Sequence, residues 1–193
     1  MRRAPLVAVI VAACAAAVPA VSLAGAPALP VCSTNPETGG TTRCATVRPP
    51  GAWAKAAAYR ATGYALPRPR NAAVLRPMAL TSIRITKPDR VDEGECGTQA
   101  EVDAQYRGGG KTLSYRYVEN DCGEFQRPRP GEEAVTVPGA TAAIAMRSGG
   151  ANVVAWTRSD RAAIDGAYMI GIMTLRSSTL PRARLLEIAG TIR

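Results

Sequence analysis

Acidic side chains gather on either side of two cysteines. Asp89, Asp92, Glu93 and Glu95 precede Cys96, while Glu119, Asp121 and Glu124 flank Cys122. A bond between Cys96 and Cys122 would bring the two runs together. Paired carboxylates serve glycoside hydrolysis as acid and nucleophile, and several together hold Ca²⁺. No EF-hand spacing is present, so the pattern reads as a solvated loop end. Its functional alternative is a cation site or a docking point for a basic partner. The candidate residues for that role are Asp92, Glu93, Glu95, Asp121 and Glu124.

Other chemistries are excluded by residue type. The chain has no histidine, hence no Ser-His-Asp or Cys-His arrangement and no histidine metal site. Gly110-Lys111-Thr112 resembles the end of a phosphate-binding loop. Gln105 stands where the opening glycine belongs, however, and the triplet sits in a hairpin instead of before a helix. The expectation is a chain with no catalytic residue, no metal and no cofactor.

The cysteines point to export. There are five, of which Cys14 lies in an apolar leader. The other four allow three pairings. The local choice joins Cys32 to Cys44 and Cys96 to Cys122, and the loops closed are worth about 3 and about 3.5 kcal/mol by chain entropy. Zinc is disfavoured because no Cys-x-x-Cys pair and no histidine exist.

The leader has the form of a secretory signal. Met1-Arg2-Arg3 is followed by an apolar run from Leu6 to Val18 and by Ser22-Leu23-Ala24. Cleavage is expected after Ala24, and the run is too short for a confident membrane span. An alternative is lipidation at Cys14, since Val11-Ala12-Ala13-Cys14 has the aliphatic-small-small-Cys form. Either way the expected location is secreted, periplasmic or on the cell envelope of a bacterium, with no transmembrane span in the mature chain.

Charge is laid out unevenly. Beyond residue 24 there are 22 basic and 15 acidic residues. Nine basic residues and no acid lie between Thr38 and Pro88; eleven acids and six bases follow from Asp89 to Glu133. Arg68, Arg70 and Arg76 sit among Pro67, Pro69 and Pro77, where regular structure is not expected. They are candidate binding residues for an anionic envelope surface, the competing reading being that they pair with the acids of 89–133. In an exported protein nucleic acid is not the expected partner; the partner is an unidentified protein or an anionic surface.

These groups need a frame, and the frame is a hairpin. Val102, Ala104 and Tyr106 alternate with polar residues, as do Leu113, Tyr115 and Tyr117, the period of half-buried strands. An even, four-residue loop from Gly108 to Lys111 sets Tyr106 opposite Leu113, Ala104 opposite Tyr115 and Val102 opposite Tyr117. It also sets Asp103 against Arg116 on the solvent side. A slip of one residue would set apolar against polar.

The rest is read around it. Residues 25–50 read as a loose tail and a disulfide-stapled loop, and 51–193 as one domain. Ala52–Ala61 reads as a short helix, and Leu80–Thr86 as a strand. Ala134–Val137 starts a strand broken at Pro138-Gly139. Thr141–Arg147 and Asn152–Thr157 read as two more strands. Ala167–Leu175 is apolar on both faces, as in a central strand covered on each side. Ser177-Ser178-Thr179 supplies an N-cap, and Leu185, Ile188, Ala189 and Ile192 form one apolar stripe. The fold class expected is α+β: an antiparallel sheet covered by a C-terminal amphipathic helix, with two disulfides.

Two resemblances accompany these residues. Val135-Thr136-Val137 with Gly139, then Val153-Val154-Ala155-Trp156, Tyr168-Met169-Ile170 and Leu185-Leu186-Glu187-Ile188-Ala189 carry the first. Together with Gln105-Tyr106 to Tyr117, the stretch of about 57–193 resembles a domain of unknown function of secreted bacterial lipoproteins and anti-sigma-factor-like proteins. That domain is related in shape to the lipoprotein-sorting fold. The resemblance implies an extracytoplasmic, non-catalytic sensing or binding domain, without catalytic residues to carry over. The segment Tyr106–Cys122 is also similar to part of the secreted subtilisin-inhibitor family, which implies a protease inhibitor with a disulfide-braced loop.

Overall fold

Alternating side chains and glycine turns build most of the protein's framework. In the computed structural model the described residues are 27–34, 40–59, 66–86, 98–120, 128–160 and 169–193. The signal segment, Cys14, Cys96, Cys122 and the acidic loop of 87–97 lie outside them. The elements in chain order are β1 (Leu29–Thr34), β2 (Thr41–Val47), α1 (Pro49–Tyr59), α2 (Ala72–Leu75), β3 (Ala79–Thr86) and β4 (Thr98–Gly108). Then come β5 (Lys111–Asn120), β6 (Glu132–Ala134), β7 (Ala142–Ser148), β8 (Ala151–Asp160), β9 (Met169–Ser177) and α3 (Arg182–Ala189).

The strands form one sheet in the order β2-β1-β3-β4-β5-β9-β8-β7-β6. The hairpin β4–β5 has the expected register: Tyr106 faces Leu113, Ala104 faces Tyr115, Val102 faces Tyr117 and Asp103 faces Arg116. Gly108 also pairs with Lys111, so the turn itself is Gly109-Gly110. Both have positive φ, 56° and 70°, as a two-residue primed turn requires. A Cβ on Gly109 would stand 2.3 Å from the Pro77 ring, so the hairpin tip also needs glycine for contact.

The antiparallel expectation needs one correction. β1 runs parallel to β3, with Val31 opposite Ile83 and Ser33 opposite Ile85, so the sheet is mixed. Parallel neighbours need a crossover, and here the chain returns through β2 and α1. Residues 29–34 and 41–47 are correspondingly paired strands, not a loose tail and stapled loop. Leu29, Val31 and Ser33 point into the core, and Cys32 faces Cys44 across a β1–β2 ladder. The Cys32–Cys44 disulfide joins the strands there, and it is the one disulfide among the described residues.

Two helices share the covering of one face. α1 buries Ala52, Trp53 and Ala56 against β1 and β3. α3 buries Leu185, Ile188 and Ala189 against β8 and β9. The C-terminal helix is therefore half the cover. β9 lies centrally between β5 and β8, and its Met173 and Leu175 are buried. Its other face carries Ile170, Ile172 and Thr174, which are only half-buried, so the expectation of equal cover on both faces does not hold.

Smaller corrections have local causes. The strand expected at Ala134–Val137 is Glu132–Ala134, its pairing with β7 ending as the chain turns at Pro138. Ser177 does not cap α3, whose N-cap is Pro181 without a side-chain bond. Ser177 Oγ instead accepts from the Thr179 and Leu180 amides and donates to Thr112 O at 2.5 Å. The proline-rich stretch holds a four-residue helix, α2, whose first turn Asn71 Oδ1 caps by accepting from Ala73 N at 3.0 Å.

Candidate functional site

Two arginines of the proline-rich arm, Arg68 and Arg70, are held by residues 191–193. Pro69 forms an antiparallel bridge with Ile192. Arg68 N donates to Arg193 O at 3.2 Å, Arg193 N donates to Arg68 O at 3.3 Å, and Arg70 N donates to Thr191 O at 3.2 Å. Adjacent residues of extended chain project to opposite sides. Ile192 is buried, and Arg68, Arg70 and Arg193 are exposed.

Buried groups anchor this bridge from beneath. Tyr115 is fully buried, packs its ring against Trp53 at 6.1 Å between centroids, and donates its hydroxyl to Pro67 O at 2.9 Å. Burial pushes the Tyr115 phenol well above its ordinary range, so it stays a donor. Arg158 reaches from β8 and donates to Gly139 O and Ile192 O, each at 3.3 Å. The exposed guanidiniums thus rise from a backbone fixed at both strands of the bridge.

Between α2 and residues 190–193 lies an open cleft of about 540 Å³. Arg70, Asn71, Thr191 and Arg193 supply its polar lining, and the remainder is alanine and glycine. Thr191 Oγ1 donates to Ile188 O at 2.8 Å. Arg76 is exposed at the far end of α2 and does not line the cleft. The structure therefore joins Arg68 and Arg70 to Arg193 and leaves Arg76 apart. Sequence reasoning missed Arg193, Asn71 and Thr191, because pairing across more than 120 residues leaves no local pattern.

Among the described residues, three other arginines form ion pairs. Arg116 bonds Glu101 at 2.6 Å, Arg182 grips both oxygens of Glu133 at 2.5 and 2.6 Å, and Arg184 pairs with Glu187. Among the described residues no carboxylate pairs with Arg68, Arg70, Arg76 or Arg193. Asp103 stands opposite Arg116 as the register sets it, while the Arg116 guanidinium bonds Glu101. Burial first, then the Glu101 charge and hydrogen bond, push its carboxyl up to about 6, against the opposing pull of Arg116 and Arg84.

The acidic candidates Asp92, Glu93, Glu95, Asp121 and Glu124 lie outside the described residues, as do Asp89 and the Cys96–Cys122 pair. Glu119 is described, and it is not solvated. It is buried and accepts the Tyr117 hydroxyl at 2.8 Å. Among the described residues no group of three His, Cys, Asp or Glu is placed to hold a metal, and no helix is long and apolar enough to cross a membrane. No family model, curated protein or solved structure matches the chain.

Proposed function

We propose that the chain is an extracytoplasmic, non-catalytic binding domain that works against an anionic envelope surface. One observation carries this reading. Arg68, Arg70 and Arg76 are exposed and engage no described carboxylate, whereas Arg116, Arg182 and Arg184 each do. The Cys32–Cys44 disulfide fits an oxidising compartment. A second bond, Cys96 to Cys122, would clasp the base of the hairpin. The secretory form of residues 1–24 and the resemblance over about 57–193 support the same location, with Cys14 lipidation as the anchored variant.

The physics is that of a basic patch near negative lipid headgroups or acidic wall polymers. Each arginine close to such a surface contributes on the order of 1 kcal/mol, and salt screens it. The test is sedimentation with vesicles. The protein is expected to pellet with phosphatidylglycerol vesicles at low salt, to stay free of phosphatidylcholine vesicles, and to release as salt rises. Binding that ignores salt would overturn the reading. The inhibitor alternative would use a loop braced by the Cys96–Cys122 bond, which lies outside the described residues.

A further inference from the structure

We propose that the cleft between α2 and residues 190–193 binds a single phosphoryl group carried on a small polyol. The proposal deepens the envelope-surface reading and rests on it for the origin of the ligand.

The donors come first. Arg70 and Arg193 both line the cleft, and their backbones are held by the bridge at Pro69 and Ile192. A guanidinium offers planar paired donors that match phosphate oxygens. Asn71 spends its carbonyl oxygen on Ala73 N, which leaves its NH₂ group as a donor. A planar carboxylate can satisfy one guanidinium, whereas a tetrahedral phosphoryl group has oxygens enough for two guanidiniums and an amide. No aspartate or glutamate lines the cleft, and no described carboxylate pairs with Arg70 or Arg193, so an anion there need not displace an ion pair.

The acceptor and the size specify what carries the phosphoryl group. Thr191, a lining residue, gives its proton to Ile188 O, so its hydroxyl oxygen has only acceptor capacity left. An acceptor beside cationic donors suits a ligand hydroxyl. The cleft, about 540 Å³ and open, exceeds what a bare phosphate fills. Its small lining residues leave room for a glycerol-sized group. The shared chemistry is a glycerol phosphate, free or as a lipid headgroup.

Amide shifts during titration with glycerol 3-phosphate, inorganic phosphate and acetate test the site. Glycerol 3-phosphate is expected to move Asn71, Gly190, Thr191 and Arg193 in a saturating manner, more tightly than acetate. Arg70→Gln and Arg193→Gln should each weaken it at least about tenfold, the range for a charged hydrogen bond. Arg116→Gln, at an arginine already paired with Glu101, should leave it nearly unchanged, and Thr191→Val should weaken glycerol 3-phosphate but not inorganic phosphate. Displacement from phosphatidylglycerol vesicles by glycerol 3-phosphate identifies the lipid headgroup as the source; undiminished vesicle binding with the cleft filled identifies the free ester. Diffuse shifts, equal binding of acetate, or equal losses in Arg116→Gln and Arg193→Gln would overturn the proposal. Vesicle binding without cleft shifts sinks this site and leaves the surface reading standing. Cleft shifts without vesicle binding do the reverse.

Discussion

Tyr115 links the core to the basic arm. Its ring belongs to the buried face of the hairpin, and its hydroxyl holds Pro67 O, two residues before the first bridge residue. Tyr115→Phe keeps the packing and strands a carbonyl. The loss expected is about 1–2 kcal/mol, read from the denaturant midpoint, with faster amide exchange at Arg68 and Arg70. The inward face of Tyr115 is legible from alternation, but its partner is not, because Pro67 lies 48 residues away. Asp103 teaches the same lesson on the other face. Its position opposite Arg116 follows from register, but which carboxylate Arg116 grips depends on side-chain reach. The carboxyl is raised from 3.8 to about 6, so the folded state holds its proton more tightly than the unfolded state. The stability linked to that proton is full below pH 3.8 and is lost as pH rises through about 6. Asp103→Asn should flatten this slope and raise stability at pH 7 by on the order of 1 kcal/mol or less, once solvent screening is allowed for. An unchanged pH profile of the melting temperature would contradict it.

Among elements, those with a strong period were legible and those with a weak one were not. The register of β4–β5 follows from apolar alternation around a glycine turn, and the stripe of α3 from helical spacing. β1 was hidden by Pro30, a residue that argues against an inner strand. The structure accommodates it because the β1–β3 ladder starts at Val31, one residue beyond the proline. β2 was hidden by its threonines and glycine-rich approach, and α2 by flanking prolines. The β1–β2 pair depends on its staple. Replacing Cys32 and Cys44 together by alanine is expected to cost about 3 kcal/mol, measured as a lower denaturant midpoint. A shift near zero would mean that pairing with β3 and packing under α1 suffice to order these strands.

At the scale of the molecule, α1 and α3 pack against the buried face of the sheet, and the basic arm is held by Tyr115 of the central strand β5 where it pairs with residues 191–193. The uneven charge was visible in the sequence; whether the arginines were internally neutralised was not, because that depends on which side chains meet in three dimensions. The described ion pairs use other arginines. That separation supplies the most direct measurement of the central claim. Vesicle affinity should be compared between the protein, Arg68→Gln/Arg70→Gln/Arg76→Gln, and Arg116→Gln/Arg182→Gln/Arg184→Gln, which carry the same change in charge. The first variant is expected to lose about 3 kcal/mol of low-salt affinity for phosphatidylglycerol vesicles, about a hundredfold, and the second far less. Equal losses in both variants, or none in the first, would contradict the account.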